Sequence, residues 1–176
     1  MAPLEIPILE GQRLRLEPLS LSHSPGMFAL WREPEVCEHS GPAVDSSGES
    51  IRLPAKSRSD SDRLLSYWLD RSQAGTGFRW AAVLHTPAEF VGAVGFNSLG
   101  ACSEYAYHLV PRHWGAGLGN EASRIALSWA FSTGSRSVEA FIEPANTRSI
   151  RLVERLGFER SHEASDELAR YVVSVA

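Results

Sequence analysis

The stretch that most constrains this chain is "FRWAAVLHTPAEFVGAVGFNSLGACSEYAYHLVP", Phe78 to Pro111, which holds three strand-like runs in unbroken succession. The connections between them, "HTPAE" and "NSLGA", suit antiparallel hairpins. The central run, "FVGAVGF", is apolar on both sides and belongs in the middle of a sheet. Gly92 and Gly95 within it predict the close approach of another element.

The remaining segments have to fit around that centre. "RLRLEPL", from Arg13, alternates apolar and polar residues and predicts a first strand. "SHSPGMFALWRE" predicts a serine-led helix with Met27, Leu30 and Trp31 on one face, and "DRLLSYWLDRSQAG" a second helix stopping near Gly75. Between them, Gly41 to Ser61 has no apolar period and is expected to be a mobile loop on the substrate side. Beyond the meander come a helical stripe (Leu118, Ala122, Ile125, Ala126, Trp129, Ala130), a strand "SVEAFIEP", a helix "NTRSIRLVERLGF" and a final strand "ARYVVSVA". The order β-α-α-β-β-β-α-β-α-β-β implies a mixed α+β fold of the α/β class. It predicts one mixed, mostly antiparallel sheet of about seven strands with helices on both faces, in a single domain spanning 1–176.

Composition narrows the function classes. Hydrophobic residues make up 43% and charged residues 22%, a globular balance that needs no metal or disulfide support. A formal charge of −4 argues against nucleic acid as the main partner, while leaving room for a small anion on a local basic patch. No apolar window approaches a membrane span, and "MAPLEIPILEGQRLRL" carries no secretory pattern. Cys37 and Cys102 are isolated, which fits two reduced thiols in an intracellular, cytoplasmic protein and no metal site.

The chemistry concentrates at "PRHWGAGLGNEASRIALSWAF", Pro111 to Phe131, where Gly115, Gly117 and Gly119 lead from a strand into a helix. Such a terminus exposes backbone N–H groups that have no intrahelical acceptor, and the helix dipole adds positive charge there. Glycines remove the side chains that would hold an anion away, and Arg112 and His113 supply charge at the rim. A P-loop is excluded because Asn120 and Glu121 stand where Lys-Ser/Thr is required. A dinucleotide fingerprint is excluded because Asn120 replaces its last glycine and antiparallel strands precede it. An anion cradle and a plain glycine turn both remain open on this stretch alone.

"RHWGAGLGNEA" resembles the R/Q-x-x-G-x-G/A acyl-CoA loop of the GCN5-related N-acetyltransferases (GNAT), at Arg112, Gly115 and Gly117. "NTRSIRLVERLGF" resembles that family's second signature, at Asn146, Ser149, Gly157 and Phe158, and "FVGAVGF" and "SEYAYHLVPRHWG" its two central strands. "LEGQRLRLEPLSLSH" is similar to the branch of RimJ/RimL-type ribosomal-protein acetyltransferases. The resemblance covers roughly residues 9 to 160.

It implies direct acetyl transfer from acetyl-CoA to a primary amine, either a protein N-terminus or a small molecule, through a ternary complex. It implies that the central strand pair splays apart, and that the backbone from Trp114 through Gly115, Ala116, Gly117, Leu118 and Gly119 to Asn120 holds the pyrophosphate, with Arg112 beside it. The strand end from Tyr107 to Val110 would pair with the pantetheine arm, with an N–H near Leu109 stabilising the thioester oxygen. Asn146 contacts that arm or caps its helix, and Arg148 is the arginine nearest the coenzyme. The family tyrosine that protonates the thiolate falls on Val153 here, so Ser149 becomes the acid candidate beside its alternative as a helix-start serine. Glu104 is the leading base, His108 the second, and Glu139 and Glu143 weaker ones. Tyr105, Tyr107, Trp80 and Trp68 are expected in the core. The short C-terminal region leaves the acceptor side open or completed by a second subunit, as in a homodimer. A non-catalytic acyl-CoA-binding module is the alternative function.

Overall fold

The structure, a computed structural model, describes residues 4–162 and 167–175, so part of the C-terminal region, 163–166, lies outside the described residues. The predicted meander forms β5 (Phe78–Leu84), β6 (Phe90–Ser98) and β7 (Cys102–Leu109), each antiparallel to the next. Flanking them are β1 (Leu9–Glu10), β2 (Leu14–Pro18), β8 (Ser137–Ile142), β9 (Glu159–Arg160) and β10 (Ala169–Ser174), which complete an eight-stranded sheet in the order β1-β2-β5-β6-β7-β8-β10-β9. The count exceeds the expected seven because two-residue strands at the sheet's edges carry too short a pattern to be read from sequence.

Backbone approach explains the glycines of β6. A Cβ at Gly92 would stand 2.2 Å from the His108 carbonyl oxygen, and one at Gly95 2.3 Å from that of Phe78. Any larger residue would therefore push β5 or β7 away from the centre of the sheet.

Each face of the sheet carries its own core. On one side lie α4 (Leu118–Ser132) and α5 (Thr147–Arg155). Ala122, Ala126 and Ala130 of α4 are fully buried, and their small size lets the helix lie close above Phe78, Trp80 and Phe96. On the other side lie α1 (Ser24–Trp31), the single turn α2 (Pro34–Cys37) and α3 (Arg58–Gln73), which bury Met27, Leu30, Trp31, Leu64 and Leu65 against Ala81, Val83 and Ala93.

The segment expected to be a mobile loop is more ordered than that. It contains a small hairpin, β3 (Ala43–Val44) with β4 (Ser50–Ile51), and its last residues are the first turn of α3. The helix start is set by a capping box in which Ser57 and Asp60 satisfy each other's backbone N–H groups, a polar signal that precedes the apolar period.

One departure from regularity positions everything that follows. β7 pairs in parallel with β8 only at Cys102, Ser103 and Glu104, opposite Ser137, Val138 and Glu139. Beyond Glu104, β7 stays with β6 as far as Leu109, and β8 stays with β10 as far as Ile142. The sheet therefore opens into two wings, as the resemblance implies.

Candidate active site

The opening between the wings leads into a cleft of roughly 1660 Å³ that passes from the α4–α5 side to the α1–α3 side. That exceeds the several hundred cubic ångströms of an ordinary small-ligand pocket. Its lining includes Glu104, Tyr107, His108 and Leu109 of β7, the glycine junction, Asn146 to Ser149, and Arg124.

At the glycine junction, Gly115 and Gly117 both sit at φ 77°, a left-handed conformation that side chains disfavour. Gly117 is the N-cap of α4, and the first intrahelical bond runs from the Glu121 N–H to the Gly117 carbonyl, 3.1 Å. The N–H groups of Leu118, Gly119 and Asn120 thus have no acceptor within the helix and open toward the cleft. Gly119 packs where a Cβ would be 3.1 Å from the Leu109 side chain, which seats the helix start against the end of β7.

The junction is braced from behind by a residue that no local pattern revealed. Arg13 donates through Nη1 to the Ala116 carbonyl (2.6 Å) and through Nε to Glu121 (2.8 Å), and its own backbone N–H donates to Glu121 (2.7 Å). Burial pushes the Glu121 carboxyl upward, but the Arg13 amide and guanidinium outweigh it and hold the group below the usual carboxylate range.

Three residues expected at the cofactor, Arg112, Val110 and Ala116, are absent from the cleft lining. The Arg112 guanidinium donates to Glu89, on the turn between β5 and β6, where His113 also reaches (3.2 Å). Val110 spends its N–H on the Val91 carbonyl (2.9 Å), its carbonyl on the His113 N–H (2.9 Å) and its side chain on the α1–α3 core. The cationic rim is built from helices instead. Arg148 lies 3.7 Å over the ring of Trp114, and Arg124 donates to Asn120 (2.8 Å), with Arg155 nearby.

The alternation of a strand settles which backbone groups face the opening. Val110 points its N–H at β6, so Leu109 points its own at the side from which β8 has departed. The Leu109 carbonyl, on that same side, accepts from the Trp114 indole (2.9 Å).

On the α4–α5 side, Asn146 caps α5 by accepting from the Ser149 N–H (3.2 Å), and the Ser149 hydroxyl meets that of Tyr107 at 3.0 Å. Val153 is buried, so its position offers no proton donor. Tyr107, expected in the core, instead brings a phenol to the cleft from β7. Burial raises its pKa, keeping the hydroxyl protonated. Tyr105 and Trp80 are core residues as expected, whereas Trp68 lines the cleft.

On the α1–α3 side, Glu104 stands at the branch point. Its Oε1 accepts from Asn97 Nδ2 (2.6 Å), and Asn97 Oδ1 accepts from Arg79 (2.5 Å). An arginine only donates, so the carboxamide orientation is unambiguous, and Glu104 must act as acceptor with its second oxygen left for another donor. The other carboxylates are committed: Glu139 to Arg170 (2.6 Å) and Glu143 to His39 (2.7 Å). His108 packs against Trp31 with the rings tilted by 50° (4.7 Å between centroids), and its burial, helped by Arg79, pushes its pKa down to about 3. A ring so hard to protonate is a poor proton acceptor near neutrality.

Among the described residues there is no group of three or more potential metal ligands, and no helix long and apolar enough to cross a membrane. The arrangement is that of a split sheet with a glycine-rich helix start at one end of the cleft and the α1–α3 side of the sheet at the other. Comparison with known proteins agrees with it. Residues 13–159 match the model of the acetyltransferase (GNAT) domain family. The uncharacterized N-acetyltransferase p20 of Bacillus licheniformis is 27% identical over 156 residues, covering 86% of this chain and 82% of that protein. The acetyltransferase from Agrobacterium tumefaciens superposes with a TM-score of 0.76 at 22% identity, over 98% of this chain and 96% of that one. RimL, the ribosomal L7/L12 α-N-protein acetyltransferase solved with coenzyme A, gives 0.77 at 15% identity, over 96% and 98% of the two chains. With most of its length matched by the family model and its sheet parted beside the glycine-rich start of α4, the chain belongs to the GNAT acetyltransferase family.

Proposed function

We propose that this acetyltransferase takes its acetyl group from acetyl-CoA and delivers it to a primary amine by direct attack in a ternary complex. The observation that carries the reading is the parting of β7 from β8 beside an α4 N-terminus that no side chain caps. The coenzyme's pyrophosphate fits the free N–H groups of Leu118, Gly119 and Asn120, since a Cβ at Gly115 would meet nothing within 4 Å and the loop is open in front of them. Arg124 and Arg148 supply positive charge at the mouth.

Acetyl-CoA contributes a thioester already activated for attack. Around it, the Leu109 N–H donates to the thioester oxygen as charge develops there. Glu104 accepts a proton from the incoming ammonium through its unoccupied oxygen, held in place by Asn97. The Ser149 hydroxyl, backed by Tyr107, donates to the departing sulfur. Asn146 serves as the helix cap that places Ser149 rather than as a ligand for the pantetheine arm.

Thiol release from acetyl-CoA in the presence of a panel of primary amines and short peptides tests the reading. Glu104→Gln is expected to lower kcat by about 10²–10⁴ while leaving the thermal shift on CoA binding intact. An unchanged kcat in that variant refutes the base assignment. Thermal stabilisation by CoA without thiol release from any amine refutes the transfer reaction and leaves a coenzyme binder.

A further inference from the structure

Two arginines at the acceptor end of the cleft are not used by the reaction just described. Arg79 of β5 is 5% exposed. It donates to the Phe78 carbonyl (3.0 Å) and to Asn97 Oδ1, and its guanidinium carbon lies 3.5 Å from the centre of the Trp68 ring. Arg71 of α3 reaches the same place. Its Nη2 donates to the carbonyls of Asn97 (2.7 Å) and Thr76 (2.8 Å), its guanidinium lies 5.9 Å from the same indole, and its buried Nε has no partner.

Among the described residues neither guanidinium forms an ion pair with a carboxylate. Glu104 is separated from Arg79 by the whole Asn97 carboxamide. A buried and a half-buried cation thus share one indole and one asparagine, without a counterion in contact. Burying a charge in that way is costly unless an anion completes the site. The Trp68 face compensates part of the cost, but a ring quadrupole is weaker than an ion. Burial brings the Arg79 pKa down to about 9, which still leaves it charged near neutrality. Arg71, Arg79, Tyr67, Trp68, Asn97 and Glu104 all line the same cleft.

We infer that this corner receives a carboxylate carried by the amine acceptor, with Arg71 and Arg79 as its receptor and Glu104 at the amine. The inference rests on the acetyl-transfer reading for the identity of the acceptor. It specifies a class: a small zwitterion whose ammonium and carboxylate are separated by a short spacer, since one carboxamide separates the two protein charges. Such a molecule lies alongside Asn97 with each charge facing its opposite, and a planar carboxylate suits the arginine fork. Diamines and aminoglycoside-like polycations would bring a second positive charge against Arg71 and Arg79 and are disfavoured.

Isothermal titration of the full chain tests this without turnover. The probes are free L-amino acids, β-alanine and γ-aminobutyric acid, each beside its own carboxamide. At least one acid is expected to bind tighter than its amide by about tenfold or more, as loss of a charged hydrogen-bond partner predicts. Arg71→Gln abolishes the preference, and Arg71→Lys, which keeps the charge but loses the fork, restores part of it. Arg71 is the position to change because it is only half-buried, and an undisturbed melting temperature shows that the variant is folded. Amides binding as well as acids, no acid binding at millimolar concentration, or a preference that survives Arg71→Gln overturns the inference. Thiol release with amines that lack a carboxylate, alongside any of those results, overturns it while the transfer reaction stands. Acid-selective binding with no thiol release supports the carboxylate site and counts against the transfer reaction instead.

Discussion

Gly115→Ala separates an anion cradle from a plain turn. Gly115 sits at φ 77°, where an alanine is strained by about 1–2 kcal/mol. No heavy atom lies within 4 Å of the Cβ that would be added, so no clash enlarges that cost. For a chain of this size each kcal/mol moves Tm by roughly 2–4 °C, so the variant should melt roughly 2–8 °C lower. Gly134, at φ 112° beyond the other end of α4 and equally free of neighbours, is the control, and Gly134→Ala should cost a comparable amount. The two variants part when coenzyme is added. Wild-type protein with CoA at a hundred times its Kd gains about 2.7 kcal/mol, which scanning fluorimetry reads as a shift of several degrees. Gly134→Ala should keep that shift in full. Gly115→Ala should lose about half of it or more, because a tenfold weaker site forfeits about 1.4 kcal/mol. Equal CoA shifts in the two variants would refute the cradle and leave the left-handed glycines as turn residues only.

Two further outcomes probe the supports of the site. Because Glu121 has a folded-state pKa below its unfolded value, its contribution is complete above the unfolded pKa and is lost as pH falls through the folded one; Glu121→Gln should therefore be destabilised near neutrality and should converge with wild type in acid, checked by Tm against pH. Tyr105→Phe removes the 2.7 Å partner of the Ser123 hydroxyl, which is fully buried, and should cost about 1–3 kcal/mol by urea unfolding, while adding Ser123→Ala recovers part of that loss because no buried polar group is then left unpaired.

The fold was legible where the hydrophobic period is long and local. The meander, α4 and α5 all follow from runs of six residues or more, and the glycine junction was recognisable because its chemistry lies within one contiguous segment. What escaped is tertiary. Arg13 and Glu121 are 108 positions apart, and nothing in either neighbourhood links them. Arg112 opens the motif and is expected at the coenzyme for that reason, but its partner, Glu89, lies on the β5–β6 turn, 23 positions away. Tyr107 alternates with Tyr105 and Leu109, a pattern that suits a core strand. Only the departure of β8 leaves it facing a cavity, and a splay has no sequence period.

The same splay bears on which carboxylate of an adjacent pair the proposed reaction can use. Glu104 and Glu139 face each other across the last paired rung of β7 and β8, on the same side of the sheet, and as residues they are interchangeable. Their flanking strands make them different. β10 places Arg170 beside Glu139, and the ion pair occupies that carboxylate. β6 places Asn97 beside Glu104, and an amide fixes the carboxylate without neutralising it. A cation at Asn97 would convert Glu104 into a second structural ion pair. Loss of Asn97 would leave a carboxylate free to rotate and repelled by Glu139. The role proposed for Glu104 therefore rests less on the residue itself than on strand register, which brings an uncharged donor to one side of the branch point and an arginine to the other.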